Sequence, residues 1–262
     1  MNLARAGAKR PTCDGSHRQP PTSGYLSWSV LNRRARPCRK FGNPAPPRML
    51  DAQAITGLVL AGGRGARMGG IDKGLQLFQG VPLALHALRR LQGQTVASML
   101  NANRNLDIYR SFGVPVWADG IDDYPGPLGG FLVGMEHCPS RWLLTVPCDC
   151  PLFPPDLALR LLAAAQVQGV DIALAAAPQA DETGHVALRK QPIFCLMRTA
   201  LRPSLQAFMD SGGRKIGAWA AQHHCAIVPF DLPGDDPRAF FNANTMSQLQ
   251  ALESAVLGDQ PL

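Results

Sequence analysis

Acidic residues are scarce at one end of this chain, aromatic residues are scarce throughout it, and long apolar runs are missing altogether. Residues 1–50 carry ten Lys or Arg and one acid, whereas residues 51–262 carry sixteen bases and eighteen acids, a balance of −2. Most of the chain therefore lacks the basic footprint that nucleic-acid binding requires. With aromatics at 6% it also lacks the makings of a stacking platform for bases. No apolar run approaches the roughly 18 residues of a membrane span. Val30-Leu31 is too short for the core of a secretory signal, and Arg33-Arg34 runs into more charge and proline. Seven cysteines, an odd number without regular spacing, argue against a disulfide framework and for a reducing, cytoplasmic setting. Cys148 and Cys150 form a C-x-C pair without the second pair of a structural zinc site. No Ser/His/Asp set, no paired glutamates and no internal repeat stand out, and His223-His224, at an expected helix end, takes no catalytic role.

What is present suits a globular protein with a substantial core: 46% of residues are hydrophobic and 17% charged, over a length sufficient for one large domain or two small ones. Residues 1–50, rich in Pro, Arg, Gly and Ser, read as a basic disordered tail. A transit peptide, a tether or a start codon set too far upstream of Met49 would each give that composition. Residues 51–262 then form a single domain. Strand-like runs are predicted at Ile55–Leu60, Val96–Asn101, Val114–Ala118 and Trp142–Val146, and again near Ile172–Ala176, Ile193–Leu196 and Ala226–Phe230. Between them lie helix-like segments at Pro82–Leu91 (proline in the first turn), Asp107–Phe112, Leu128–His137, Pro155–Gln168, Ala200–Asp210 and Ser247–Val256. Alternation of this kind predicts an α/β fold, a mostly parallel central sheet with helices on both faces.

The run Leu60-Ala61-Gly62-Gly63-Arg64-Gly65-Ala66-Arg67-Met68-Gly69-Gly70-Ile71-Asp72-Lys73 follows the first strand directly. Its glycines allow peptide N–H groups to converge on an anion, and Arg67 and Lys73 supply countercharge. It is no Walker A loop, because the lysine follows Asp72 and precedes Gly74. The dinucleotide fingerprint also fails: Gly69 comes one residue late, and the next strand ends in an amide, Asn101, rather than an acid. A glycine-rich surface loop is the plainer alternative.

Ligands of open α/β sheets gather beyond the carboxyl ends of strands, and here those ends carry the glycine loop, Asn101, Asn103, Asp119 and Asp149. Asp149 beside a phosphate loop is a natural Mg²⁺ ligand, although a turn or helix-cap role fits its position equally well. Asp123 to Gly130 opens a helix whose N-terminus suits an anion or a base edge, or simply connects two elements. Asn242-Ala243-Asn244-Thr245 leads into the last helix, where one of these side chains serves as a cap or a ligand contact. The absence of a Ser/His/Asp set and of paired glutamates fits nucleotidyl transfer, in which positioning and electrostatics supply most of the catalysis. An attacking phosphate monoester, with a second pKa of about 6, needs little base assistance, so Arg67, Lys73 and a metal suffice.

Taken together, Leu60-Ala-Gly-Gly63, Arg67-Met-Gly-Gly70, Asp72-Lys73, Asn101-Ala-Asn-Arg104, Asp119, Tyr124-Pro-Gly-Pro-Leu128, Pro147-Cys-Asp-Cys-Pro151 and Asn242-Ala-Asn-Thr245 resemble the bacterial molybdenum cofactor guanylyltransferases, from about Ala54 to Leu252. The resemblance implies a Rossmann-like three-layer nucleotidyltransferase fold and transfer of GMP from GTP to molybdenum-bound molybdopterin, with release of pyrophosphate. It places GTP on Leu60, Ala61, Gly62, Gly63, Lys73, Asn101 and Asp119, Mg²⁺ on Asp149, and the pterin beside Asn242 and Asn244. It also implies exchange with other cofactor-biosynthesis proteins and with molybdoenzyme apoproteins or their chaperones. Gly129-Gly130 departs mildly from relatives that carry alanine before glycine. Cytidylyl transfer to the same pterin, nucleotidyl transfer to a sugar phosphate, and a non-catalytic nucleotide or pterin carrier are the competing readings. The carrier would tolerate loss of Lys73 or Asp149, and both are present.

Overall fold

The computed structural model describes residues 55–63, 71–120 and 126–258. The expected disordered tail, Arg67 with the rest of 64–70, and Asp123-Tyr124-Pro125 lie outside the described residues.

The elements run β1 (Ile55–Leu60), a 3-10 turn (Lys73–Leu75), β2 (Leu77–Phe78), β3 (Val81–Pro82), α1 (Leu83–Gln92), β4 (Ala97–Asn101), α2 (Leu106–Arg110), β5 (Val116–Trp117), α3 (Pro127–His137) and β6 (Trp142–Pro147). They continue with α4 (Leu157–Gln168), β7 (Ile172–Ala180), β8 (Val186–Arg198), a second 3-10 turn (Thr199–Leu201), α5 (Arg202–Asp210), α6 (Ile216–Ala220), β9 (Cys225–Pro229) and α7 (Met246–Gly258). Seven strands form one sheet in the order β5-β4-β1-β6-β8-β7-β9, and β2 pairs with β3 in a separate ribbon.

The central strands are apolar because they are covered twice. Along β1, Ile55 and Val59 pack with Leu88 and Leu91 of α1 and with Leu144 of β6, while Leu58 packs on the opposite face with Phe131 of α3 and Leu143 of β6. Parallel strands buried on both faces read as nearly continuous hydrophobic runs, as ITGLVL and WLLTVP do. The two hydroxyls within them are satisfied locally: Thr56 Oγ1 donates to Ser140 Oγ at 2.8 Å and Thr145 Oγ1 to the Ile193 carbonyl at 2.6 Å.

The predicted mostly parallel sheet holds for β1 with β4 and β6, β4 with β5, and β7 with β9. β8 alone runs antiparallel to both its neighbours. The strand expected near Ile193–Leu196 is one end of this 13-residue strand, which returns from β7 through the tight turn at Asp181–Gly184. Its outer half escaped notice because exposed strand residues carry no hydrophobic run. Pro82 also sits differently from expectation: it is the N-cap of α1 and the last residue of β3, outside the first turn.

Strand order fixes where a ligand can go. From β1 the chain moves outward to β4 and β5, then crosses back to place β6 on the other flank of β1. That reversal opens a crevice beyond the carboxyl ends of β1 and β6, the usual ligand position in such sheets.

Candidate active site

Two backbone hydrogen bonds hold the start of the glycine loop in register with its flanking strands. The Ala61 N–H donates to the Asn101 carbonyl at 2.8 Å, and the Cys148 N–H donates to the Leu60 carbonyl at 3.1 Å. Leu60, Ala61, Gly62 and Gly63 thus leave the sheet at the crevice between the ends of β4 and β6.

Lys73 and Asp149 meet across that crevice. Asp149 follows β6, Lys73 opens the first 3-10 turn, and the Lys73 ammonium lies 3.3 Å from Asp149 Oδ2. Lys73 Nζ also donates to Asn244 Oδ1 at 2.8 Å. Both charged groups keep partial access to solvent, at 24% and 17% side-chain exposure, so an entering ligand can reach them. Asn244 is brought here by the segment ahead of α7: the Ala243 N–H donates to the Asp149 carbonyl at 2.9 Å, and Asn242 Oδ1 accepts from the Cys150 thiol. Burial pushes the Cys148 and Cys150 thiols well above their ordinary range, and neighbouring Asp149 adds to it, so both remain neutral thiols. Thr245 resolves the choice of cap, its Oγ1 accepting from the Gln248 N–H at 3.2 Å.

A second constellation lies at the ends of β4 and β5. Asp119 is gripped by two amides: Asn101 Nδ2 donates to Oδ1 at 2.8 Å and Asn103 Nδ2 to Oδ2 at 2.7 Å. Asn103 closes the ring by accepting the Asp119 N–H at 2.7 Å and donating to the Gly62 carbonyl at 3.2 Å. Asn101 is buried between two glycines. A Cβ on Gly62 would lie 2.9 Å from Asn101 Oδ1, and one on Gly130 of α3 would lie 2.6 Å from it. The Gly129-Gly130 pair thereby acquires a steric reason, since the second glycine lets α3 close over the amide. Next along the chain, Arg104 donates to the Gly63 and Ile71 carbonyls at 3.4 and 3.1 Å, tying the two ends of the glycine loop together.

The structure thus gathers Leu60 to Gly63, Lys73, Asn101, Asp119, Asp149, Asn242 and Asn244 around one crevice. Sequence reasoning passed over Arg104 as a loop fastener and gave Asn103 no part beyond its place at a strand end. The signal available was their position directly after Asn101, at the same strand end. His223 faces Ser204 at 2.9 Å beside Trp219, in a contact between α5 and α6. Among the described residues no three His, Cys, Asp or Glu side chains converge as a metal cage, and no helix is long and apolar enough to cross a membrane.

Comparison with known proteins bears on the family and the fold. Residues 57–238 match the family model of the MobA-like NTP transferase domain. The chain is 65% identical over 206 residues to a molybdenum cofactor guanylyltransferase of Acidovorax sp. (strain JS42), covering 78% of this chain and 98% of that one. It is 59% identical over 208 residues to the protein of the same name from Albidiferax ferrireducens, covering 79% and 99%. Its fold matches the crystal structure of molybdopterin-guanine dinucleotide biosynthesis protein A from Archaeoglobus fulgidus, with a TM-score of 0.61 at 18% identity, over 78% of this chain and 99% of that one. With its motifs, its sheet order and these relatives in agreement, the chain belongs to the molybdenum cofactor guanylyltransferase family of MobA-like nucleotidyltransferases.

Proposed function

We propose that the chain transfers GMP from GTP to molybdenum-bound molybdopterin, giving the guanine dinucleotide cofactor and pyrophosphate. The observation that carries this reading is the meeting of Lys73, Asp149 and Asn244, from three distant segments, at the mouth of the glycine loop. In the reaction an oxygen of the acceptor's terminal phosphate attacks the α-phosphorus of GTP. The bond from that phosphorus to the bridging oxygen breaks, and its electron pair departs with pyrophosphate. The acceptor phosphate is largely ionised near neutrality, its second pKa being about 6, so no general base is required.

Each group in the crevice then has a task. The backbone N–H groups of Gly62 and Gly63, beyond the end of β1, receive the triphosphate, with Arg67 contributing countercharge from the same loop. Lys73 stabilises charge shifting toward the leaving pyrophosphate. Asp119 presents two oxygens, each with lone-pair capacity left after its amide partner, to the N1–H and 2-amino donors of guanine. Adenine has neither donor in that place, and a site built to satisfy polar groups rejects a base that leaves them unpaired. Asn242 and Asn244 face the acceptor side.

Asp149 is a single hard carboxylate with the amide oxygen of Asn244 close by, linked through Lys73. This donor set suits Mg²⁺ that arrives on the triphosphate, since Mg²⁺ takes one or two carboxylates and fills its other positions with water and phosphate oxygens. Asp149 would hold the ion, whose contribution is to neutralise phosphate charge. Handing on the dinucleotide makes cofactor-biosynthesis proteins and molybdoenzyme apoproteins or chaperones its natural partners.

The test is incubation of the purified protein with Mg²⁺, molybdopterin and each of the four nucleoside triphosphates in turn, with detection of dinucleotide and pyrophosphate. GTP is expected to support product formation far above ATP. Equal use of ATP and GTP, or a preference for CTP, would overturn the assignment.

A further inference from the structure

We infer that Asp72, Tyr109 and Asn105 form a positioning network that fixes the backbone on either side of Lys73 and so aims its side chain across the crevice. This rests on the part given to Lys73 above. Asp72 is the one buried charged side chain among the described residues. A buried carboxylate is costly unless its oxygens are satisfied, and three hydrogen-bond donors and one nearby cation converge on this one. Oδ1 accepts from the Tyr109 hydroxyl at 2.6 Å and from the Gly74 N–H at 3.1 Å. Oδ2 accepts from Asn105 Nδ2 at 2.9 Å, with Arg104 Nε 3.7 Å away.

The consequence falls on the residue between. Asp72 caps the 3-10 turn that Lys73 opens, so one carboxylate grips the chain before Lys73 and the N–H after it. Gly74 makes the grip possible: a Cβ there would lie 2.3 Å from the Tyr109 hydroxyl oxygen, pushing Tyr109 off Asp72. Asn105 stands at φ 51, a left-handed conformation that asparagine tolerates and that turns its amide toward Asp72. A cap needs only one acceptor and works on the surface. A fully buried tyrosine spent on a buried acid serves instead to fix a geometry. Burial, reinforced by Asp72, raises the Tyr109 hydroxyl far above its ordinary range, so it is a constant donor at working pH.

A positioning network acts only through the group it positions, and a double-mutant cycle reads that directly. Guanylyl transfer and melting temperature are measured for Tyr109→Phe, Lys73→Ala and the double variant. Tyr109→Phe is expected to lower kcat about tenfold, with KM for GTP changed by less than about twofold. In the Lys73→Ala background it is expected to lower kcat by less than about twofold more. Equal losses in both backgrounds, or full activity of folded Tyr109→Phe, overturn the positioning role and leave that of Lys73 intact. Unchanged turnover in Lys73→Ala alone overturns the role of Lys73 and this inference with it. Asn105→Gly keeps the left-handed backbone and removes only the amide donor, so it supplies the same cycle if Tyr109→Phe fails to fold. Its loss is expected to be smaller and likewise absent once Lys73 is gone.

Discussion

Lys73 illustrates how much of this site depends on single side chains reaching across the sheet. Its ammonium touches Asp149 and Asn244, and a leaving pyrophosphate would compete for the same charge. Lys73→Ala is expected to lower kcat on the order of 100-fold while KM for GTP moves little, the pattern of a contact made chiefly in the transition state. Steady-state kinetics with varied GTP checks this, and a raised KM at normal kcat would reduce Lys73 to uniform ground-state binding. Lys73, Asp119 and Asp149 stand out in the sequence, Lys73 as a cation of the glycine loop and the two aspartates as acids that follow apolar strands. Asp72, Tyr109 and Arg104 do not. Their importance comes from what they touch 32 to 41 positions away, and no local pattern reveals a hydroxyl that fits above a glycine.

At the level of elements, the approach of α3 to the end of β4 is set by Gly130. Gly130→Ala would place a methyl 2.6 Å from both Asn101 Oδ1 and Leu60 Cδ2. The substitution is expected to cost about 1–3 kcal/mol of stability through overpacking and to raise KM for GTP by displacing Asn101 from Asp119. Denaturant melts and GTP titration measure the two effects separately, and an undisturbed KM would detach Asn101 from base recognition. Elsewhere Arg160 ties α4 to the segment after β9, pairing with Asp235 at 2.7 Å and lying 3.8 Å from the centroid of the Phe230 ring. The Arg160 hydrogen bond holds the Asp235 carboxyl below its usual range, against a smaller opposing effect of desolvation. A depressed carboxylate stabilises the fold fully above its unfolded pKa of about 3.9 and loses that contribution as pH falls through the lower folded value. The melting-temperature gap between the parent and Asp235→Asn should therefore be largest near neutrality and close below about pH 4. A gap unchanged between pH 7 and pH 3 would contradict it. Hydrophobic periodicity exposed most elements, but the direction of β8 was hidden: a buried apolar run reads alike whether its strand runs parallel or antiparallel.

At the level of the whole molecule, the order β5-β4-β1-β6 puts the glycine loop and Asp149 on adjacent strands, although 86 residues separate Gly63 from Asp149. Every proposed contact lies after residue 54, and the family match begins at residue 57. A chain beginning at Met49 is therefore expected to keep the turnover and melting temperature of the full chain, and loss of most turnover would give residues 1–48 a function. The crevice itself could be anticipated from strand ends alone, because alternating strands and helices leave few topologies and all gather loops at one edge of the sheet. The central claim, that Asp149 holds the metal of nucleotidyl transfer, is tested most directly by Asp149→Asn. That change nearly preserves shape and removes the charge. Turnover measured against Mg²⁺ concentration should fall steeply and require more Mg²⁺, with the melting temperature kept. Full turnover at unchanged Mg²⁺ dependence, or an unfolded variant, would contradict the claim.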